Sequence, residues 1–425
     1  MSGLHTQPTP VAAWIGIDWA DQHHDVALKE AGSDRVEHRR IGATPEAVTE
    51  WLAELRLRFG GRPVAICLEQ TKGALIHALL EHDFLILYPV NPASLDQFRK
   101  VFTSSGAKND PTDAGLLLEL LEKHRDRLHA WVPDDPNTRA LARYVEARRK
   151  AVNSRTQLVQ RLGAELKGYF PQALDLVGDD LASPMACDFL RRWPTLKALK
   201  RAQEQTVRRF YTTHHSRSAE MITQRIKQIR TAIPLVTDPA IVEPSALTVR
   251  ILVDQITALA EGIQAYDERI HDLFAAHPDA HLFDCLPGSG ATLAPRLLAA
   301  FGSDRSRFDS AARVQQYTGI APVTVSSGKS HWVHRRWAAN KFLRQTFHEF
   351  AGHSLRYSIW ARAYYQQMRS RGKGRHAAIR ALAFKWIRIL WRCWQDRTPY
   401  SETHYVEALR RRGSPLVQQL PLQAA

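Results

Sequence analysis

At 425 residues the chain is long enough for two or three domains of ~150 residues each, and its 44% hydrophobic share supports packed cores. It has no apolar run long enough to span a bilayer and no apolar signal core in MSGLHTQPTP. These features set the expectation of a cytoplasmic protein. Cys67, Cys187, Cys285 and Cys393 are far apart and lack C-x-x-C spacing, which argues against a zinc site or a disulfide framework.

The net charge of +15 is unevenly placed. Lys329 to Arg412 holds 19 lysines and arginines against 4 acids, while the rest of the chain balances at 39 of each. Basic residues in that stretch alternate with Trp332, Trp337, Phe342, Tyr357, Trp360, Tyr364, Tyr365, Trp386, Trp391 and Trp394. Many of these rings have the spacing of helix core. The charge asymmetry nevertheless favours a nucleic-acid partner, with cations on phosphates and rings available for stacking.

In chain order, Trp14 to Leu28 (WIGIDWADQHHDVAL) reads as a strand, a turn over Ala20 to His24 and a second strand, with Asp18 near the centre of the first. A lone acid there is more often an exposed strand-end residue. On a core strand it calls for a cationic partner such as a metal ion. Arg35 to Ile41 supplies a third strand and Pro45 to Phe59 an amphipathic helix. The buried strand Pro63 to Leu68 ends in Glu69, followed by a helix Gly73 to His82, a strand Phe84 to Val90 and a helix Pro92 to Phe102. A meander followed by alternating strands and helices predicts an α/β mixed sheet of the ribonuclease-H-like arrangement.

In AKNDPTDA, Asp110, Pro111 and Asp113 read as a helix start leading into Gly115 to His124. Capping alone accounts for both acids, but the same turn puts both carboxylates on one face. Asp18, Glu69, Asp110 and Asp113 together form a set able to hold two Mg²⁺ ions about 4 Å apart for phosphoryl transfer.

Thr138 to Phe170 and Thr195 to Ile233 read as long helices, separated by a loop with Pro171, Gly178 and Pro184. Ala246 to His277 repeats Leu252, Ile256, Leu259, Ile263, Tyr266, Ile270 and Leu273 at alternate spacings of four and three, a coiled-coil pattern. Its partner is either a helix of the same chain or a second copy. Leu286 to Phe301 places a glycine turn before a helix and resembles a helix-hairpin-helix backbone-binding element. Phe308 to Tyr317 is a helix, and Thr318 to His334 a loop with Ser326, Ser327, Gly328 and Lys329 followed by Arg335 and Arg336. A serine next to glycine is usually a turn residue. Among cations, its hydroxyl is also a candidate nucleophile for phosphorus.

GIDWADQHH, LEQTKG, KNDPTDA, LPGSG, YTGIAPVTVSSGKS and RGKGRHAAIRALAFKWIRILW occur in this order, and together they resemble the DEDD-type transposases of the one-hundred-and-ten family of bacterial insertion sequences. The resemblance implies a RuvC-like domain, a coiled-coil insertion and a mainly α-helical serine transposase domain, which the texture of the chain sets at 1–136, 137–278 and 279–412, and a disordered tail is expected over 413–425. It matches Asp18, Glu69, Asp110 and Asp113 to the metal-binding acids and Ser327, or else Ser326, to the nucleophile.

The resemblance further implies a recombinase acting on double-stranded DNA at element ends and target, in the bacterial cytoplasm at the nucleoid. An element-encoded guide RNA is implied by the resemblance only. Candidate nucleic-acid contacts are Lys329, Arg335, Arg336, Lys341, Arg344, Arg371, Lys373 and Arg375. Because the acids and the serine fall in different domains, a homodimer or homotetramer is expected. The alternatives are a RuvC-like endonuclease using metal-activated water, and a non-catalytic nucleic-acid-binding protein.

Overall fold

The computed structural model describes residues 10–69, 73–102, 110–215, 218–328, 330–337 and 339–420, and these form two compact units, 1–133 and 134–425. Ala107 to Asn109 of the KNDP motif and Lys329 lie outside the described residues. Among the described residues no helix is long and apolar enough to cross a membrane.

The first unit runs β1 (Ala13–Trp19), β2 (His23–Glu30), β3 (Val36–Gly42), α1 (Pro45–Phe59), β4 (Val64–Leu68), α2 (Ala74–Leu79), β5 (Leu85–Pro89), α3 (Pro92–Phe102) and α4 (Asp110–His124). The sheet order is β3-β2-β1-β4-β5, antiparallel across the meander and parallel from β1 through β4 to β5. A mixed sheet of this kind is the predicted one. β1 and β4 are central, so alternate residues face two covered surfaces. Ile15, Ile17, Val64 and Ile66 pack with Trp51, Leu52 and Leu55 of α1 and with Ile76 of α2. On the opposite face Ala65 and Cys67 pack with Leu95 of α3 and Leu117 and Leu121 of α4. The bounds of α1 follow from local chemistry: the Thr44 hydroxyl accepts the Ala47 N–H at 3.3 Å, and Gly60 ends the helix in the left-handed region at φ 60°.

The second unit begins with α5 (Pro136–Tyr169), α6 (Gln172–Val177), α7 (Pro184–Arg192), α8 (Leu196–Lys200), α9 (Glu204–Thr213), α10 (Ala219–Thr231) and α11 (Pro239–Ala275). The loop expected after Phe170 holds the two short helices α6 and α7. The single helix expected over Thr195 to Ile233 is three. His215 at φ 60° stops α9, and the Ser218 hydroxyl caps α10 by accepting the Met221 N–H at 3.2 Å. Folding this stretch back lets Phe189, Phe210 and Ile226 build a core with Leu162 of α5 and Leu252 of α11.

The periodic stripe of α11 lies against α5 of the same chain. Leu252 and Ile256 pack near Leu162, while Ile270 packs near Leu141 and Val145, so the two helices run antiparallel. Tyr266 meets Tyr144, and Arg148 pairs with Asp267.

The rest comprises α12 (Ala280–Asp284), α13 (Gly290–Phe301), α14 (Ala311–Tyr317), β6 (Val323–Ser327), β7 (Ser330–His334), α15 (Lys341–Ser354), α16 (Ile359–Ser370), α17 (Arg375–Gln395) and α18 (Glu402–Arg411). The stretch Thr318 to His334, expected as a loop, carries an antiparallel hairpin. The alternation of Val323, Val325, Trp332 and His334 is the signal for it. Trp360, Trp386 and Trp394 are core residues whose indole N–H groups donate to Tyr400 Oη, Ser354 Oγ and the Gly302 carbonyl. The expected disordered tail contains a short 3₁₀ helix, Pro415–Gln419, because Leu416 is an apolar anchor buried in this core.

Candidate active site

Two acids of the first unit, Asp18 and Glu69, lie at the ends of neighbouring strands. β1 and β4 run parallel with Ile17 beside Leu68, so the next step of the register brings Asp18 beside Glu69. A β-carbon on Gly16 would point straight at α4, 2.1 Å from the Ala114 carbonyl oxygen. Alternation then directs Asp18, two residues on, to the face that α4 covers. Cys67 packs on that face with Leu117, and Glu69 follows it by the same period of two. Asp18 and Glu69 are both half-buried.

α4 opens at Asp110, whose side chain lies outside what the structure describes. Asp113 is 1% exposed, one residue before the Ala114 that touches β1. Its Oδ1 accepts from Arg99 of α3, at 2.9 Å from Nε and 2.6 Å from Nη2. Its Oδ2 is buried and has no hydrogen-bond partner among the described residues. A buried oxygen left unpaired costs ~1–3 kcal/mol unless a ligand meets it.

Among the described residues no three His, Cys, Asp or Glu side chains stand close enough to share an ion. The donor set still suits a hard divalent cation: carboxylates only, on one face, one with an orphaned oxygen. Cys67, on the same face, is a core thiol whose pKa burial pushes up to about 12, so it is not a competing ligand.

Sequence reasoning missed two partners here. Asp25 stands directly opposite Asp18 in the β1–β2 register and is buried, with Arg40 of β3 at 3.0 Å. The positions of Asp18 and Asp25, equally spaced about the turn, are a legible signal for this pairing. Arg99 had no such signal, because its pairing with Asp113 is made only when α3 packs near α4. His24, buried next in line, has its pKa lowered by desolvation and then by the neighbouring His23, and its Nδ1 accepts the Ala20 N–H at 3.3 Å. This neutral imidazole pins the β1–β2 turn.

In the second unit Ser327 is the last residue of β6, opposite Ser330, and Gly328 follows at φ 55°. A left-handed turn residue suits a tight hairpin, which gives Gly328 a conformational reason. Ser327 shares a hairpin face with Val325, Ser330 and Trp332, whereas Ser326 points to the other face, opposite His331. Both serines are exposed. Of the basic candidates, Arg335, Lys341, Arg371, Lys373 and Arg375 are exposed, and Arg336 and Arg344 are half-buried. The glycine turn before α13 is tight: a β-carbon on Gly288, at φ 81°, would stand 2.9 Å from the backbone of His353.

A five-stranded mixed sheet of this order, with acids at the ends of its two central strands, is compatible with a ribonuclease-H-like domain. Residues 15–171 match the family model of DEDD transposases of the IS110 type, and residues 280–366 match that of the transposase IS116/IS110/IS902 family. The chain is 28% identical over 418 residues to the mini-circle IS117 protein of Streptomyces coelicolor, covering 96% of this chain and 98% of that one. It is 25% identical over 391 residues to an uncharacterized 42 kDa protein of insertion element IS900 from Mycobacterium paratuberculosis, covering 91% and 96%. An uncharacterized 44.8 kDa protein of IS116 from Streptomyces clavuligerus is 24% identical over 389 residues, covering 90% and 95%. The chain belongs to the IS110 family of transposases, enzymes that recombine DNA.

Proposed function

We propose that the chain excises and inserts its own element through a serine-DNA intermediate. Ser327 Oγ attacks a DNA phosphodiester. The Oγ–P bond forms as the bond from phosphorus to the departing deoxyribose oxygen breaks, with the serine proton passing to solvent and the departing oxygen taking one up. A hydroxyl from the second duplex then attacks the same phosphorus, restoring Ser327 and completing strand exchange. The support for choosing Ser327 over Ser326 is that it shares its hairpin face with an aromatic, cation-flanked surface.

Asp18, Glu69, Asp110 and Asp113 would hold Mg²⁺, two ions in this reading. When bound, Mg²⁺ supplies positive charge against the negative charge that builds on the non-bridging phosphate oxygens. Arg99 holds Asp113 in place by its bond to Oδ1, and the α4–β1 contact keeps that carboxylate over the strand ends. The observation that carries the reading is the emergence of Asp18, Glu69 and Asp113 on one face, with one carboxylate oxygen unpartnered.

The substrates are the duplex ends of the element and its target, met by the basic residues of the second unit. An element-encoded guide RNA, implied by the family, would use the same kind of phosphate contacts. Cutting and rejoining two duplexes takes more than one copy of each reacting group, so the working particle is a dimer or tetramer.

Labelled element-end DNA, incubated with protein and Mg²⁺ and run on a denaturing gel, tests this. A covalent protein-DNA band should form, survive Ser326→Ala and vanish in Ser327→Ala. Cleavage that persists in Ser327→Ala without such a band would replace the mechanism with metal-activated water. Unaltered activity in Asp18→Ala and Glu69→Ala would reduce the acids to structural residues.

A further inference from the structure

We propose that Trp332, His334 and Trp337 form a stacking platform for an unpaired nucleobase of the DNA strand beside Ser327. The inference rests on the reading that the hairpin meets DNA, and it adds the chemistry of what is recognised there.

Two indoles, Trp332 on the hairpin and Trp337 just after it, are conspicuous because the other tryptophans of the basic stretch have structural work. Trp360, Trp386 and Trp394 are fully buried, each with its N–H satisfied. Trp332 and Trp337 are 59% and 63% exposed and belong to none of the described cores. They are nevertheless ordered with respect to each other. The rings of Trp332 and His334 lie 4.5 Å apart at 32°, and those of His334 and Trp337 lie 6.1 Å apart at 31°. The Arg335 guanidinium sits 4.5 Å over Trp337, and His334 Nδ1 lies 2.7 Å from the Arg335 carbonyl oxygen, which steadies the imidazole between the indoles.

This is a short ladder of π faces ending in a cation, held open to solvent on a two-stranded hairpin. Isolated hairpins have little stability of their own, so exposed aromatic area is a cost unless a ligand covers it. Nucleobases are flat, and every base offers a face to stack, with cations close by for the phosphates. Paired bases have both faces taken by their neighbours, which leaves an unpaired base as the occupant that fits.

Register places the platform where the reaction needs it. Trp332 and His334 share the face that carries Ser327 and Ser330. Trp332 follows Ser330 by two residues, a displacement of ~7 Å along the strand. A base on Trp332 would thus belong to a nucleotide flanking the phosphate at Ser327, holding the reacting strand out of its helix.

The test uses the full chain and two labelled duplexes of about 30 base pairs. They are identical except that one carries a central single-stranded gap of about three thymines, and binding is read by fluorescence anisotropy at about 0.2 M salt, where phosphate contacts are weakened. The wild type should bind the gapped duplex about tenfold more tightly than the intact one. Trp332→Ala should abolish that preference and Trp332→Phe, which keeps a π face, should retain most of it. Ser327→Ala should keep the preference even where it forms no covalent band, which separates failure of the platform from failure of the serine reading. The platform is overturned if the wild type shows no preference, if Trp332→Ala keeps it, or if Trp332→Phe loses as much as Trp332→Ala.

Discussion

Gly16 on β1 and Ala114 on α4 touch backbone to backbone, so closely that a β-carbon on Gly16 would stand 2.1 Å from the Ala114 carbonyl oxygen and 2.5 Å from the Leu118 amide nitrogen. The contact seats α4, and Asp113 with it, over the ends of the central strands. Gly16→Ala has nowhere to put its methyl except by lifting the helix. The expected loss is at least ~1–3 kcal/mol of stability, the range for overpacked cores. Thermal denaturation checks this, and formation of the covalent complex should fall alongside. An unchanged melting temperature would mean the contact is not tight.

Asp113 combines a buried ion pair with Arg99 and an oxygen that lacks a partner among the described residues. Mg²⁺ should therefore stabilise the wild type, by ~2.7 kcal/mol per bound ion at a hundred times its Kd, which is read as a rise in melting temperature. Asp113→Asn should remove most of that increment. Asp113→Ala should in addition cost up to ~3–5 kcal/mol without any ion, because the buried ion pair between Asp113 and Arg99 is broken. An Asp113→Asn protein that responds to Mg²⁺ as the wild type does would take this residue out of the metal set.

How much of this could be read from the chain depends on how local the cause is. The strands that lead to Asp18 and Glu69, and the mixed sheet they belong to, rest on short apolar runs and a meander, which a period of two exposes directly. The hairpin at Ser327 was hidden because its alternating residues are solvent-exposed, and serines and a glycine read first as a loop. The break of Thr195 to Ile233 into three helices turns on a left-handed residue at His215 and a serine cap, features weaker than the helical periodicity around them. Arg99 facing Asp113 joins two helices across residues of unrelated pattern, and only packing reveals it.

His348 on α15 stacks on His376 of α17 at 5.5 Å. Burial lowers its pKa, and His376 and Arg380 lower it further. The folded chain therefore resists a proton that the unfolded chain accepts near pH 6.5. Stability is full above the ordinary imidazole value and falls as the pH drops below it, by at most ~1.4 kcal/mol per pH unit until the lowered folded value is reached. Burial also lowers His24 and His277, with the same sign. Denaturant titrations at pH 7.5 and 5.5 should show a smaller loss for His348→Gln than for the wild type, and equal losses would assign the effect to other groups.

Arg371, Lys373 and Arg375 form an exposed run from the end of α16 to the first residue of α17, with no acidic partner among the described residues. Arg335 and Lys341 are exposed as well, while the rest of the chain is balanced in charge. Six to ten phosphate contacts would make duplex affinity fall by about a thousandfold or more between 50 and 200 mM salt. Each contact contributes ~0.9 to the slope of log affinity against log salt, so replacing Arg371, Lys373 and Arg375 together by alanine should flatten that slope by ~3 and weaken all sequences alike. Anisotropy titrations over a salt series give both numbers. A slope near zero in the wild type, or one untouched in the triple variant, would mean that this charge faces solvent while DNA binds elsewhere.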